Sequence, residues 1–253
     1  MEQKSLSSRG CTVGVIHIPG GILFFKNRDL ASEYLTNRIT VFQSTPQIYA
    51  LKGANLRTGE LAGVAIGVNV HKICVANTHV VSSTDVTYDV LCERLVNEAR
   101  EKADVPRIVA DFMAQNTVQG GRILVASPAW SYLVEVLDKE SELQELETDF
   151  VMTNSFSLIS YAGERPEMRV QSSASRLEVG QRMIEHVSNV GALKAMLRSH
   201  EPEKGDLSIC NHRQDGGGTE SSHIIRVQGD HVDWSASIGY PCESDYHTTL
   251  LFQ

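Results

Sequence analysis

The chain has 253 residues, of which 42% are hydrophobic and 21% charged, with a formal net charge of -8. That length can bury one large core and no composition break marks a linker, so one domain is expected. The acidic balance disfavours nucleic acid or an anionic membrane as the main partner.

No apolar run approaches the roughly 20 residues needed to span a bilayer, and the first ten residues are polar and too short for a signal peptide. The five cysteines, at positions 11, 74, 92, 210 and 242, are odd in number and widely spaced. That is the pattern of a reduced, cytoplasmic protein and not of a disulfide framework.

In chain order, Cys11 opens the first apolar run, Cys11-Thr12-Val13-Gly14-Val15-Ile16, after a short polar leader. Pro19-Gly20-Gly21 joins it to Ile22-Leu23-Phe24-Phe25, which ends in Lys26-Asn27-Arg28-Asp29; the pattern predicts a hairpin. Antiparallel pairing would bring Cys11 to the charged end of its partner, near Lys26, Asn27 and Asp29. A thiol beside a cation and an orienting carboxylate is a candidate nucleophile.

Strand-like runs follow at residues 40–43, 48–51, 62–68 and 73–76. Val86, Val90, Leu91, Leu95, Val96 and Ala99 fall on one helical face. Asp104 is placed to cap a second helix, with Pro106 in its first turn. Further strands are expected at residues 123–126, 132–137 and 150–152, a helix from about Ser175, and a short helix capped by Asn189. The last strands are read at residues 207–210, 224–227 and 232–236. Strands paired in hairpins cannot form the parallel sheet of a doubly wound fold. Antiparallel pairs separated by helix pairs suggest two stacked sheets with helices outside.

Several short motifs then occur in a telling order: Gly10-Cys11-Thr12; Lys26-Asn27-Arg28-Asp29; Gly67-Val68-Asn69 before Ile73-Cys74-Val75-Ala76-Asn77; Val151-Met152-Thr153-Asn154-Ser155-Phe156; Ser172-Ser173-Ala174-Ser175-Arg176; Ile209-Cys210-Asn211-His212; and Gly239-Tyr240-Pro241-Cys242. Each is weak alone. Together they resemble the N-terminal-nucleophile (Ntn) hydrolases of the group containing penicillin acyltransferase and the choloylglycine, or bile-salt, hydrolases. The resemblance spans most of the chain and implies an α+β, four-layer αββα sandwich of two antiparallel sheets.

It also implies a chemistry. Residues 1–10 would be a leader removed by autocatalytic cleavage at Gly10-Cys11, leaving 11–253 as a single Ntn hydrolase domain. The freed α-amine, with a reference pKa of about 7.7–8.0, would act as the base. Cys11 would attack an amide carbonyl and form a thioester. Asp29 matches the carboxylate that orients the amine, Asn154 the oxyanion donor, and Arg176 an arginine near the nucleophile.

Backbone amides near Asn77 to His79 would give the second oxyanion donor. Lys26 stands where the bile-salt branch has an arginine, replacing a planar fork by a point charge, and Arg28 could return a guanidinium only if the strand stays extended. Only 22 residues separate Asn154 from Arg176, whereas the bile-salt branch carries a longer insertion. That argues against bile salts and against that branch's tetramer.

The expected function is a cysteine amidase acting on a linear non-peptide amide, with a small-molecule substrate and no cofactor. The alternatives are an acyltransferase passing the acyl group to an amine and a non-catalytic binding protein that keeps the fold; a homodimer also stays open. Cys74 and Cys92 read as core thiols. Cys210, His212, His223, His231 and Cys242 do not read as a metal site, because only Cys210 and His212 are closely spaced. Gly216-Gly217-Gly218 lacks a following helix and a Gly-Lys-Ser/Thr, so it reads as a mobile loop and not a phosphate cradle.

Overall fold

The computed structural model describes residues 10–30, 40–54, 60–83, 85–213 and 216–252; positions 1–9 of the expected leader lie outside them. The first hairpin comprises β1 (Thr12–Ile18) and β2 (Gly21–Leu30). Gly20 makes its turn at φ 75°, a backbone that glycine adopts without penalty. The register pairs Thr12 with Asn27 and Val13 with Lys26. Continuing it by one residue sets Cys11 opposite Arg28.

The other strands are β3 (Phe42–Ser44), β4 (Ile48–Ala54), β5 (Leu61–Asn69), β6 (Cys74–Val81), β7 (Val118–Ser127), β8 (Trp130–Asp138), β9 (Glu140–Leu146), β10 (Phe150–Met152), β11 (Gly218–Gln228), β12 (His231–Ile238) and β13 (His247–Leu251). The helices are α1 (Tyr88–Glu98), α2 (Asp104–Gln115), α3 (Glu167–Ile184) and α4 (Val190–Leu197).

One sheet runs β10-β1-β2-β11-β12-β13 and the other β3-β4-β5-β6-β7-β8-β9, and every pair of neighbouring strands is antiparallel. Alternation divides each strand between two cores. Val13, Val15, Ile22 and Phe24 join Ile66, Val68, Leu124 and Trp234 between the sheets. Ile16, Leu23 and Phe25 face Val179, Leu193 and Met196 of α3 and α4. On the far side, Leu91, Leu95, Ile108 and Phe112 of α1 and α2 cover Val64, Val75, Ile123 and Val134. The layers are helix, sheet, sheet, helix, and the αββα expectation is borne out.

Several boundaries differ from the sequence reading. The residues 207–210 form turns, not a strand; Ser208 Oγ bonds the Gly205 and Cys210 carbonyls at 3.0 and 2.7 Å, a local alternative to ladder pairing. Helix α3 begins at Glu167, eight residues before Ser175, and includes the polar Ser172-Ser173 pair. Strands β9 and β13 carry too little apolar alternation to stand out. Asp104 is the first residue of α2, with Ala103 at its N-cap, and its carboxylate accepts instead from the Arg100 and Glu101 amides. Gly218 opens β11 and does not remain in a loop.

One buried carboxylate orders the connection after β10. Glu135 of β8 accepts from the backbone amides of Ser157, Leu158 and Ile159 at 2.8–3.1 Å, and Arg122 Nε lies 2.8 Å from its Oε1. Removing one partner of such a pair leaves the other charge buried and alone. Glu135→Ala should therefore lower unfolding free energy by about 3–5 kcal/mol, measured by urea denaturation against the unaltered chain.

Candidate active site

The start of β1, the end of β2, the end of β10 and the middle of α3 converge on Cys11, which is 8% exposed. Its backbone amide donates to Asn154 Oδ1 at 2.9 Å. Arg176, only 1% exposed, donates to the Cys11 carbonyl at 2.7 Å, to Asn154 Oδ1 at 2.9 Å and to Thr12 Oγ1 at 3.3 Å. Asn154 Nδ2 donates to the His79 carbonyl at 2.7 Å. Two N–H donors on one amide atom and a carbonyl on the other leave a single orientation for this side chain.

Asn154 follows β10, where Thr153 and Asn154 meet α3. Thr153 Oγ1 and the Asn154 amide both bond Ser173 Oγ, at 2.9 and 3.0 Å. Serine 172, serine 173 and Arg176 lie on one helical face at i, i+1 and i+4, so α3 docks on the sheet here through a polar face.

Asp29 occupies the adjoining position. Its Oδ1 accepts from Thr219 Oγ1 at 2.8 Å, and Thr219 is its cross-strand partner in β11. Burial raises its pKa from 3.8 to about 7, against the lowering effects of Arg176 and of the Thr219 hydrogen bond. The acceptor for the Cys11 amide is thus Asn154, and the Asp29 carboxylate lies one residue upstream, beside Gly10. A Cβ on Gly10 would fall 2.4 Å from Arg176 Nη2 and 3.2 Å from Asp29 Oδ2. Only glycine fits between these two groups without displacing them.

Strand β2 stays extended to Leu30, so Lys26 and Arg28 share the inter-sheet face with Cys11. Lys26 Nζ donates to the Asn77 and Ala65 carbonyls at 2.6 and 3.2 Å and to Asn77 Oδ1 at 3.1 Å. Arg28 lies 3.8 Å from Glu220. Asn27 points the other way, to the Leu197 and Ile209 carbonyls.

The Asn77 side chain is committed to Lys26, to the Val64 carbonyl and to Asp89. The His79 ring meets Tyr88 and Ser82, so His79 reaches the site through its backbone. A cavity of about 30 Å³ is bounded by Cys11, Lys26, Asp29, Asn77 and Asp89. Cys74 and Cys92 are fully buried, and burial pushes both thiols up, which makes them inert.

Four contributors escaped the sequence reading. Thr219 and Asp89 carried no signal, because β2–β11 pairing and α1 docking join distant segments. Ser172 and Ser173 were visible only within the motif ending at Arg176.

No family model matches the chain, and no curated protein matches it in sequence. Solved structures do match. Penicillin V acylase from Agrobacterium tumefaciens superposes with a TM-score of 0.53 at 9% identity, over 90% of this chain and 82% of the other. A mutant of the conjugated bile acid hydrolase from Clostridium perfringens gives 0.51 at 8% identity, over 94% and 96%. The Caenorhabditis elegans ortholog of N-acylethanolamine-hydrolyzing acid amidase gives 0.51 at 15% identity, over 95% and 100%. All three are Ntn hydrolases of the choloylglycine-hydrolase-like group, and the chain has their fold.

Asp29 has a consequence for stability. Its pKa is higher in the folded chain than in the unfolded one, so its contribution is complete below about pH 4 and is lost as pH rises to about 7. In Cys11→Ala, unfolding free energy should therefore contain a component falling across that window. Adding Asp29→Asn should abolish that component, read by urea denaturation at a series of pH values.

Proposed function

We propose that this chain is an N-terminal cysteine amidase that frees its own nucleophile and then hydrolyses a linear, non-peptide amide. The observation that carries the proposal is the contact set at residues 10 and 11. Gly10 sits where only glycine fits, between Arg176 and Asp29, and the amide that would become the amine is held by Asn154.

In the first step the Cys11 thiol adds to the Gly10 carbonyl, the Gly10–Cys11 C–N bond breaks and the nitrogen takes up protons. Water then hydrolyses the resulting thioester and releases residues 1–10 as an acid. In its protonated form the freed amine sets a positive charge beside Asp29 that favours the ionised carboxylate, and loss of one proton to water leaves a neutral amine that Asp29 orients. In turnover the amine takes the thiol proton as Cys11 adds to the substrate carbonyl. It returns that proton to the departing amine, and water clears the acyl group.

Asn154 can serve as oxyanion donor without giving up its place. Its NH₂ carries two hydrogens, and the His79 carbonyl takes one. Arg176 holds the same side chain by its oxygen, so the second hydrogen points in a fixed direction. The cavity at Cys11, about 30 Å³, has room for one or two waters and not for a substrate, which fits a site that opens when the leader departs. A pocket of about 580 Å³ lies nearby, lined by Phe42, Ile238 and Tyr240 together with Thr219 and Glu220. Through Thr219 it adjoins Asp29, and its apolar walls suit the hydrocarbon part of an acyl group.

Intact mass tests maturation directly. The active protein should begin at Cys11, Cys11→Ala should retain the leader, and Gly10→Ala should mature at least ~10-fold more slowly, since Arg176 is pinned by its hydrogen bonds and cannot yield cheaply. Fully active protein that still carries Met1 to Gly10 would rule the mechanism out.

In the mature enzyme Asn154→Ala should lower kcat and kcat/KM together by ~10²–10³-fold. A rise in KM alone would make Asn154 a binding residue. Product analysis with added amines separates hydrolysis from transfer: free acid at a rate independent of amine supports the amidase, and dominant new amide identifies an acyltransferase.

A further inference from the structure

Three of the five residues weighed as metal ligands come together, joined by one that the sequence reading passed over. His200 follows α4, Cys210 and His212 precede β11, and Cys242 lies in the turn after β12. The four donor atoms all lie within 4.8 Å of one another. His212 Nε2 is 3.5 Å from Cys210 Sγ and 3.1 Å from Cys242 Sγ. The other two histidines stay away: His223 is a core residue between Ser221 and Trp234, and His231 is exposed at the start of β12.

We propose that His200, Cys210, His212 and Cys242 form a structural Zn²⁺ site. Tetrahedral bonds of about 2.3 Å to sulfur and 2.0–2.1 Å to nitrogen separate a sulfur from a nitrogen ligand by about 3.5 Å. The observed separations of 3.5 and 3.1 Å already approach that shape. Two thiolates and two neutral imidazoles match the donor set of closed structural zinc sites, which leave no position for water.

Three further observations suit this assignment. His200 Nε2 is buried with no hydrogen-bond partner among the described residues, and a bound metal ion would engage its lone pair. Tyr240 stacks on the His212 ring at 3.9 Å between centroids and fixes its plane. Cys210 and Cys242 form no disulfide. On binding, each thiol loses its proton, so one Zn²⁺ enters and two H⁺ leave, giving a neutral centre.

The site would tie the α4–β11 connection, at three points, to the β12–β13 turn directly behind Asp29. Between two of its ligands, the Asn211 amide donates to Thr219 Oγ1 at 2.9 Å, and Thr219 donates to Asp29. One residue before Cys210, the Ile209 carbonyl accepts from Asn27. The metal would thus brace both neighbours of Arg28 on β2.

The test uses the full chain with no affinity tag, prepared under reducing conditions without chelator. Mass spectrometry of the metal content should find one zinc per chain, in Cys11→Ala as well, which separates this centre from the proposed nucleophile. Replacement by Co²⁺ should give the intense visible bands of a tetrahedral thiolate centre. Cys242→Ser should halve the sulfur-to-cobalt charge-transfer intensity, and His200→Ala should weaken Co²⁺ binding at least about 100-fold, the upper range for losing even an outer-shell partner. Unaltered, folded chain that takes up neither Zn²⁺ nor Co²⁺ would overturn the proposal. So would recovery of Cys210 and Cys242 as a disulfide under those conditions, or cobalt bands lost in Cys11→Ala and kept in Cys242→Ser.

Discussion

The buried guanidinium of Arg176 is the constraint on which the site depends. A cation taken out of water is tolerated only where its donors are answered and an opposite charge is near. Here the first requirement is met by the Cys11 carbonyl, Asn154 Oδ1, Thr12 Oγ1 and, through Nε, Ser172 Oγ at 3.3 Å. Burial lowers the Arg176 pKa and Asp29 offsets part of that effect, so the two groups share one electrostatic problem. An isolated carboxylate at this depth would stay protonated, and an isolated guanidinium would be expelled. Each makes the other tenable; Arg176 is anchored to the Cys11 carbonyl and Asp29 to Thr219 of β11.

This coupling explains why α3 packs as it does. Most helices on a sheet dock through an apolar stripe, and α3 does so lower down, with Val179 and Ile184. Its first half presents Ser172, Ser173 and Arg176 instead. Serine hydroxyls are short and can both donate and accept, so Ser173 satisfies Thr153, the Asn154 amide and Ser155 at 2.9–3.0 Å. A longer residue would lift the helix and carry the guanidinium away from Cys11. The helix is placed by its apolar half and read chemically by its polar half.

The same division set what could be read from the sequence. The hairpin of β1 and β2, the strands β3 to β8 of the second sheet and the helices α1 and α2 follow from short apolar runs with clear turns, and with them the layered fold. Cys11, Asp29, Asn154 and Arg176 could be singled out by motif order, and the fold brings the four into one cluster. What escaped was whatever depends on tertiary placement alone. The start of α3 is polar because it faces a site, and β9, Glu-Ser-Glu-Leu-Gln-Glu-Leu, is an edge strand with little to bury. Thr219 is defined only by its pairing with Asp29. His200, ten residues before Cys210 in the same connection, has no spacing signature at all.

Lys26 shows how a departure from a motif can be structurally consistent. In place of a planar fork the site has a compact ammonium with three donors, and three acceptors surround it: the carbonyls of Ala65 and Asn77 and the Asn77 amide oxygen. A guanidinium could not turn its planar fork to all three. Through Asn77 the charge is relayed to Asp89, whose carboxylate is held at the start of α1 by Thr87.

Gly53 and Gly63 allow that approach, since a Cβ on either would lie 2.1–2.5 Å from Asp89 atoms. Lys26 therefore links β2 of one sheet to β5, β6 and α1 of the other. It fixes the separation of the sheets at the depth where Cys11 sits, and the second carboxylate, Asp89, serves this inter-sheet cation through Asn77. With Asp89 engaged in this way between the sheets, Asp29 is left as the buried carboxylate beside Gly10 and Arg176.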